Sequence, residues 1–493
     1  MIVLKLIGHE YLNEVSDIIK LFYGKESIKL CSDSGNIASQ EKGIFITSNI
    51  IINNNETFFQ SLYLDTSNDE KDEYTAIENG ISLSPKETKK ALKISMYKLL
   101  SRVTGKELPW GVLTGIRPVK IVHKLFDKGM QSNDIVQYLR DEYYVSLDRA
   151  LLSIKVALTE KKYIKEKNRK KVSIYVGIPF CPSRCNYCSF TSNSIDKNKD
   201  LVKPYLNAMM TEIRQVSQYL KSKGVNVQSI YIGGGTPTSI NAEELGILLE
   251  CINESWHDNE EFTCEAGRPD TITAEKLKVI KDAGVTRLSI NPQTMDDETL
   301  VRIGRKHNHS QIIECFHLAR SLGFDNINMD MILGLPGENL KHVENTLEWI
   351  KKMNPENVTV HTMAIKRASI YNEINPNLNR YSDDLVSKMM ELSKKSLEGF
   401  GYNPYYLYRQ KHMAQNLENI GYCKKDKECI YNIQIMEEKQ SIVAFGADAV
   451  TKAYFQEEDR LERQHNIKDL KLYIENIDNQ IHKKLELLKS LIQ

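Results

Sequence analysis

The pattern of hydrophobic and polar residues divides the chain into segments of different texture. Residues 2–8, 43–52 and 57–64 are strand-like runs separated by Asn, Gly, Asp and Ser clusters. Between about 85 and 168, apolar residues recur at three- and four-residue spacing, which predicts helices. The charged run KEKNRKK at 165–171 then marks a predicted boundary, although it equally fits a solvated helix end.

Beyond that run, short apolar strands alternate with helical segments. The predicted strands are VSIYVGI (172–178), SIYIG (229–233), FTCEA (262–266), RLSI (287–290), INMDMIL (327–333) and NVTVHTM (357–363). Strands separated by helices predict a parallel sheet, either doubly wound or rolled into a full or partial barrel. In both architectures the chemistry lies at the carboxyl ends of the strands.

The alternation is lost after about residue 366. A helix is predicted around 382–400, followed by the strand pieces IYNIQIM and QSIVAFGA and a charged helical tail. We therefore predict an α/β chain in three parts. They are an N-terminal α+β accessory domain over 1–165, a partial (β/α)6 barrel of the TIM type over 166–365, and a C-terminal α+β domain over 366–493 that caps the barrel mouth.

Composition narrows the functional classes. The chain has 493 residues, of which 41% are hydrophobic and 27% charged, so it is typical of folded soluble proteins. Its net charge of +1 provides no global field to attract nucleic acid or an anionic membrane. The N-terminus lacks a signal-peptide pattern, no apolar run is long enough to span a membrane, and most of the nine cysteines lack framework spacing. We expect a cytoplasmic location, no nucleic-acid partner and no membrane span.

Three cysteines are crowded into the loop after the first barrel strand. Cys181, Cys185 and Cys188 form Cys-x-x-x-Cys-x-x-Cys and can converge on one small object. A structural zinc site needs a fourth Cys or His, and none lies in this loop. An iron–sulfur cube bound by three thiolates leaves one iron open for another ligand. Zinc with a remote fourth ligand, and a chance grouping of cysteines, remain alternatives.

The sequence resembles a known family at this loop. YVGIPFCPSRCNYCSF (175–190), YIGGGTPT (231–238) and GLP (334–336) resemble the radical S-adenosylmethionine (SAM) proteins of the oxygen-independent coproporphyrinogen III oxidase family. PWGVLTGIRP (109–118) and RCNYCSFTSN (184–193) resemble its HemZ-like branch. The resemblance implies a radical SAM barrel, a 4Fe–4S cluster on the three cysteines, and SAM, in one or two copies. The cluster would reduce SAM to a 5′-deoxyadenosyl radical.

The resemblance also implies cofactor-binding residues. Those expected to meet the first SAM are Tyr175, Gly234, Gly235, Thr236 and Glu265, with Glu265 accepting the ribose hydroxyls. Members of the family can hold a second SAM, and its ligand positions here are Tyr187, Gln293, Arg305, Asp330 and Ala364. The alternatives are an ordinary strand aromatic for Tyr175, a bare glycine turn for 233–235, strand-end polar residues for Gln293 and Asp330, and a surface ion pair for Arg305.

Two positions depart from the family pattern. Phe190 stands where active oxidases carry a fourth cysteine, and Gly177 stands where they carry a histidine. The resemblance also extends to heme-binding chaperones that lack the fourth cysteine. We therefore expect either oxidative decarboxylation of coproporphyrinogen III propionates to vinyls, heme carriage, or other radical chemistry on tetrapyrroles. The expected partners are a tetrapyrrole substrate and a flavodoxin- or ferredoxin-like one-electron reductant.

Further residues are secondary candidates. Cys423 and Cys429 are expected to be exposed, with a labile disulfide or a metal pair as the alternatives. Cys31, Cys251, Cys264 and Cys315 are expected to pack as small hydrophobes. The stretch YNPYYLYRQK (402–411) fits either a tetrapyrrole contact or an aromatic domain seam. Candidate heme ligands are His307, His361, His412 and His465, and candidate propionate partners are Arg117, Arg305, Lys366 and Arg367.

Overall fold

The computed structural model gives the chain as two compact units, Met1–Ile154 and Lys155–Gln493. The residues that it describes are 1–24, 26–31, 42–53, 56–79, 83–164, 170–190, 192–364, 369–371, 384–410 and 416–492. The predicted boundary run at 165–171 lies mostly outside these residues, so the three-part division stays a prediction. Among the described residues, no helix combines the length and the apolar composition needed to cross a bilayer.

The first unit is an α+β structure. Its elements are β1 (Ile2–Ile7), α1 (Leu12–Tyr23), β2 (Ile28–Leu30), β3 (Ile44–Asn53), β4 (Glu56–Asp65), β5 (Glu70–Asn79), α2 (Pro85–Thr104), α3 (Val119–Asp127), α4 (Ser132–Tyr143) and α5 (Leu147–Ile164), which continues into the second unit. The described strands form one sheet in the order β2-β1-β3-β4-β5. The three predicted strands are confirmed as β1, β3 and β4.

Two strands of this sheet were not predicted. β2 is only three residues long, and β5 has the polar sequence EKDEYTAIEN. β5 nevertheless pairs along its whole length with β4, from Glu56↔Asn79 to Asp65↔Glu70. Backbone pairing therefore maintains a strand that its own apolar content does not predict.

The second unit contains the predicted barrel. Its elements are β6 (Lys171–Ile178), β7 (Phe180–Cys181), β8 (Asn193–Ser194), α6 (Lys199–Ser222), β9 (Asn226–Gly234), α7 (Ala242–Ser255), β10 (Glu261–Glu265), α8 (Ala274–Asp282), β11 (Arg287–Ser289), α9 (Asp297–Arg302), α10 (His309–Ser321), β12 (Ile327–Leu333), α11 (Leu340–Met353), β13 (Asn357–Thr362), α12 (Leu385–Gly399), β14 (Asn403–Tyr408), β15 (Asn419–Cys423), α13 (Ile430–Glu437), β16 (Ser441–Phe445), β17 (Val450–Phe455), β18 (Arg460–His465), α14 (Leu470–Glu475) and α15 (Ile477–Leu491).

The six predicted barrel strands are confirmed, and their order identifies the architecture. They run parallel as β6-β9-β10-β11-β12-β13, so each strand neighbours its predecessor in the sequence. A doubly wound sheet reverses its strand order at a switch point, and this order contains no such reversal among the described strands. The sheet is therefore of the TIM-like type, and its carboxyl ends share one edge.

Strands from the C-terminal third extend both edges of this sheet. β16 pairs in parallel with β6, from Ser441↔Val172 to Phe445↔Val176. At the other edge, β15 pairs antiparallel with β13. The described sheet thus has eleven strands, of which the six parallel strands form the middle.

The predicted strand IYNIQIM is wrong, because these residues form the helix Ile430–Glu437. The carboxylate of Glu261 accepts hydrogen bonds from the backbone N–H groups of Ile430 (2.9 Å) and Tyr431 (3.1 Å). An acidic group at a helix N-terminus satisfies unpaired N–H groups and interacts favourably with the helix dipole. This long-range contact outweighs the local preference of a β-branched, apolar sequence.

The expectation that Cys423 and Cys429 are exposed is also wrong. Both thiols are buried and free, each with 2% relative exposure. Cys429 Sγ donates to the Glu261 carboxylate at 3.3 Å. The charged residues around these cysteines in the sequence therefore do not indicate whether the cysteines themselves are exposed.

A buried ion pair holds the C-terminal helix Ile477–Leu491 against the barrel. The side chains of Lys484 and Glu212 are both inaccessible to solvent, and Lys484 Nζ donates to the Glu212 carboxylate. The same carboxylate accepts hydrogen bonds from Tyr473 Oη at 2.7 Å and Asn466 Nδ2 at 2.9 Å. A buried charge is tolerated only when it is paired and hydrogen-bonded in this way.

We expect Lys484→Met to lower the free energy of unfolding by about 3–5 kcal/mol, because it leaves the Glu212 charge buried without its counter-ion. The double variant Glu212→Gln/Lys484→Met should recover much of this loss, since it removes both charges. Urea unfolding followed by circular dichroism measures the effect, with Lys489→Ala in the exposed Lys489–Glu486 pair as the control. A wild-type transition in Lys484→Met contradicts the expectation.

Candidate functional site: a thiol-lined cavity at the barrel mouth

A cavity of about 250 Å³ lies where the parallel strands end. Its wall is built from the cysteine loop after β6, the strand ends of β9–β13, and residues of β14 and β15. The lining residues are Cys181, Ser183, Cys185, Tyr187, Cys188, Ser189, Phe190, Ser192, Gly234, Gly235, Thr236, Glu265, Gly267, Arg268, Asn291, Gln293, Arg305, Asp330, Ile332, His361, Thr362, Met363, Ala364, Tyr408, Gln410 and Asn419.

The cysteine loop is anchored on more than one side. Asn186 donates its backbone N–H to the Ile303 carbonyl at 3.0 Å and its side-chain amide to the Arg302 carbonyl at 2.9 Å. Tyr371 closes over the loop, since its N–H donates to the Asn186 carbonyl at 3.1 Å. These hydrogen bonds hold the loop backbone in place and so fix the positions of its thiols. Burial raises the pKa of the Cys181 thiol to about 11.

The glycine run at the end of β9 makes room for the loop. A Cβ atom on Gly235 would lie 2.6 Å from the Phe180 carbonyl oxygen and 3.0 Å from Cys181 Sγ. Gly234 has φ of +108°, which favours glycine. Thr236 Oγ1 lies 3.4 Å from Cys181 Sγ. The absence of side chains on these glycines thus allows the backbone to pass directly beside the first thiol.

Glu265 ends β10 inside the cavity. Its carboxylate accepts a hydrogen bond from Tyr231 Oη. A Cβ atom on Gly233 would lie only 3.1 Å from Glu265 Cδ, so glycine at 233 leaves the carboxyl its place. Burial raises the pKa of Glu265 to about 7, although the hydrogen bond from Tyr231 opposes this shift. Glu265 can therefore change its charge near neutral pH.

Gln293 and Arg305 each have a buried polar atom without a partner in the part of the chain that the structure describes. Gln293 has φ of +68°, a conformation that non-glycine residues rarely adopt, and its Oε1 is buried without a partner among the described residues. Arg305 Nη2 donates to Tyr187 Oη at 2.9 Å and Nη1 to the Gly267 carbonyl at 2.9 Å. Arg305 Nε has no such partner within the described residues. Arg305 is thus a buried residue and not a member of a surface ion pair.

Asp330 on β12 and His361 on β13 line the part of the cavity that the last two barrel strands form. His361 Nε2 lies 3.6 Å from Asp330 Oδ2, and Tyr408 Oη lies 3.5 Å from His361 Nδ1. Burial alone would raise the pKa of Asp330, but hydrogen bonds from His361 and Asn328 hold that pKa below its usual value. This wall therefore combines a carboxylate with an imidazole and a phenol.

All of the predicted cofactor and cluster residues except Tyr175 line this cavity. Tyr175 lies in the barrel interior, with ring centroids 6.4 Å from Tyr231 and 6.2 Å from Tyr431. Tyr175 reaches the cavity only through neighbours, since Tyr231 bonds Glu265. Its position is that of a packed strand aromatic.

The secondary candidates are dispersed. His361 lines the cavity, whereas His307 is buried beside Asp270 and His465 is exposed at the end of β18. Arg117 belongs to the first unit. Lys366, Arg367 and His412 lie outside the described residues. In the stretch 402–411, Tyr405 and Tyr406 are buried against each other, and Tyr408 and Gln410 line the cavity.

Sequence reasoning missed several lining residues. Arg268 and Asn291 follow the third and fourth barrel strands directly, so their position after a strand end was an available signal. Asn419 lies on β15, far along the chain from the barrel strands, and no local sequence pattern indicates that it lines the cavity. Its Oδ1 accepts the Thr362 N–H at 2.7 Å, which fixes it at the rim.

The donor set fits the group that the cysteine motif predicts. Three thiols, with no other cysteine among the lining residues, can bind three irons of a cube and leave the fourth facing the cavity. The backbone of Gly235 lies beside Cys181, and Gln293 and Arg305, which line the same cavity, have polar atoms without partners among the described residues. The cavity therefore has contacts suitable for a group bound by thiolates and for a polar organic ligand.

Comparisons with known proteins agree with this chemistry. The radical SAM superfamily model matches residues 175–350. The oxygen-independent coproporphyrinogen-III oxidase-like protein HemZ of Bacillus subtilis is 40% identical over 416 residues, which are 83% of this chain and 82% of that protein. The heme chaperone HemW of the same organism is 35% identical over 238 residues, 47% of this chain and 62% of HemW.

A solved structure shares the fold. Coproporphyrinogen III oxidase (HemN) of Escherichia coli, described as a radical SAM enzyme, superposes with a TM-score of 0.50 over 66% of this chain and 73% of that chain, at 22% identity. Together with the HemZ match, these findings establish the family. The chain belongs to the radical SAM superfamily and, within it, to the HemZ-like branch of the oxygen-independent coproporphyrinogen III oxidase family, which implies a 4Fe–4S cluster and SAM as cofactors.

Proposed function

We propose that this chain oxidatively decarboxylates propionate side chains of coproporphyrinogen III to vinyls, in porphyrin and heme biosynthesis. For each propionate, a hydrogen atom leaves the carbon β to the carboxylate, carbon dioxide is lost, and one electron passes to a one-electron acceptor. The bound cluster and SAM supply the radical that abstracts the hydrogen. A flavodoxin- or ferredoxin-like protein would supply the reducing electron.

The observation that carries the proposal is the convergence of three thiols and strand-end polar residues on one cavity. Cys181, Cys185 and Cys188 would hold the cluster, and Glu265 would accept the ribose hydroxyls of SAM. Residues 234–236 would offer backbone groups to its methionine part. The cavity walls would orient the bound groups relative to each other, which is the contribution a protein makes to cofactor chemistry.

The second set of polar residues extends the proposed site beyond one SAM. Gln293, Arg305 and Asp330 line the same cavity as Glu265, and Tyr187 Oη is held by Arg305. We assign these residues and Ala364 to a second SAM or to the substrate. Of the propionate candidates, Arg305 lines this cavity, and its Nε lacks a partner among the described residues.

Heme carriage is the second candidate, and one observation favours it. Phe190 lines the cavity mouth with 67% of its surface exposed, at the position where active oxidases carry a thiol. An exposed aromatic ring suits a flat macrocycle, and His361 in the same cavity is an imidazole of the kind that binds heme iron. The chaperone-like match to HemW covers about half of this chain.

Turnover separates the two functions. The reconstituted chain is incubated anaerobically with coproporphyrinogen III, SAM and a reductant, and the porphyrins are analysed by mass spectrometry. We expect more than one vinyl-bearing product per chain, formed slowly, and faster formation in Phe190→Cys, because a thiol then stands at that position. Cleavage of SAM without porphyrin product, together with a heme complex that survives gel filtration, contradicts the oxidase and supports carriage.

Removing one cluster ligand should abolish the cluster. We expect Cys185→Ala to lose the broad visible absorbance and most of the iron and sulfide of the reconstituted protein, because two thiolates cannot hold the cube. Cys423→Ala is the matched control, since that thiol is buried far along the chain from the loop. A Cys185→Ala variant with wild-type iron and sulfide contradicts the cluster assignment.

Affinity for SAM should depend on pH through Glu265. Only the ionised carboxylate accepts both ribose hydroxyls, so affinity should rise as pH rises through about 7. Tyr231→Phe removes the hydrogen bond that lowers this pKa, so its affinity near neutral pH should fall by up to about tenfold and approach that of the wild type in alkali.

Calorimetry on reconstituted protein measures SAM affinity against pH for the wild type and for Tyr231→Phe. Glu265→Gln is the control, because it cannot ionise but shares every other titrating group, including the amino group of SAM. We expect it to bind several-fold more weakly at alkaline pH while keeping its iron. A wild-type pH profile in Glu265→Gln removes Glu265 from the ribose site.

A further inference from the structure

A buried arginine, Arg268, contacts the cysteine loop from the segment that follows β10. Arg268 follows β10 and is only 3% exposed. Its Nη1 donates to the Ser183 carbonyl at 2.8 Å and to Ser183 Oγ at 3.0 Å, and lies 3.9 Å from Cys185 Sγ. A single guanidinium nitrogen therefore reaches both the loop backbone and one of the thiols.

The opposite side of the guanidinium is fixed by a carboxylate. Arg268 Nε donates to Asp270 Oδ1 at 3.0 Å, and Nη2 donates to Asp270 Oδ2 at 2.7 Å. Paired bonds of this kind determine the orientation of the guanidinium plane as well as its position. His307, also buried, lies behind Asp270 with its Nδ1 3.5 Å from Oδ1. The two hydrogen bonds to Asp270 thus orient the Arg268 guanidinium towards the loop.

We propose that Arg268 is a positioning residue that sets the reduction potential of the cluster bound by Cys181, Cys185 and Cys188. The N–H group directed at Cys185 Sγ and the positive charge behind it both stabilise the more negative, reduced cluster. This inference rests on the cluster site proposed above. It extends that site to a residue that was not assigned to the cluster or to SAM above.

The physical basis is the burial of the charge. Hydrogen bonds to cysteine sulfur and nearby charge are among the factors that set iron–sulfur potentials. Because Arg268 is almost fully removed from water, solvent screens its field only weakly. Asp270 carries the opposite charge and bonds Nε and Nη2 of the guanidinium, whereas Nη1 reaches the sulfur, so Asp270 moderates the effect of Arg268 and does not cancel it.

Arg305 differs from Arg268 in a way that makes the assignment specific. Both guanidinium groups are buried near the loop, but the described hydrogen bonds of Arg305 go to Tyr187 Oη and to backbone carbonyls. Of these two arginines, Arg268 is the one with a hydrogen bond to a loop sulfur. The N–H contact to sulfur on which the proposal rests is therefore a contact of Arg268.

Potentiometric titration of the reconstituted full-length chain tests the proposal, with iron and sulfide counted first. We expect Arg268→Gln to shift the midpoint potential to more negative values, and Asp270→Asn to shift it to less negative values. Arg268→Lys, which keeps the charge, should lie between Arg268→Gln and the wild type. Arg320→Gln is the control, because Arg320 is a partly exposed arginine paired with Glu356 away from the loop.

Shifts of opposite sign in the Arg268 and Asp270 variants support an electrostatic role, since mere damage to the loop gives no reason for opposite signs. A wild-type potential in fully loaded Arg268→Gln overturns the proposal. If Arg268→Gln does not retain iron, an unchanged potential in Asp270→Asn overturns it instead. A wild-type chain that takes up no iron overturns the cluster site itself, which is a distinguishable result.

Discussion

The parallel pairing of six consecutive strands is the constraint on which the site depends. Because β6, β9, β10, β11, β12 and β13 run in the same direction and in sequence order, their carboxyl ends meet at one edge. Residues separated by more than a hundred positions, such as Cys181 and Asp330, thereby line one cavity. The chemistry needs a soft thiolate group, carboxylates and polar atoms within a small volume, and strand register provides that proximity without any local sequence relationship.

Close backbone approach and buried charge pairs maintain this arrangement. Glycines 233–235 leave space for the Glu265 carboxyl and for the cysteine loop, while Arg268 and Asn186 tie the loop to neighbouring barrel segments. Away from the cavity, Glu212 and Lys484 connect the C-terminal helix to α6, and Glu261 starts the helix at 430. Polar groups in the interior are therefore paired across long stretches of chain, which gives the barrel mouth a defined shape.

The sequence predicted the barrel strands and half of the cavity lining because both have local signals. Apolar strands alternating with helices, a tight cysteine motif and a glycine run are each readable within a few residues. The failures have a different origin. The helix at 430–437 depends on Glu261, the burial of Cys423 and Cys429 depends on packing from distant strands, and Asn419 enters the cavity through antiparallel pairing of β15 with β13. Interactions over such separations leave no periodic pattern in the sequence.

The central claim is that one cavity at the strand ends holds both the cluster and SAM. Anomalous diffraction at the iron edge, from anaerobically grown crystals of the reconstituted protein with SAM, tests it directly. The account predicts one four-iron cluster per chain, within bonding distance of Cys181, Cys185 and Cys188, with SAM density extending from it towards Glu265. Iron bound elsewhere in the chain, or SAM density away from the glycine run at 233–235, would contradict it.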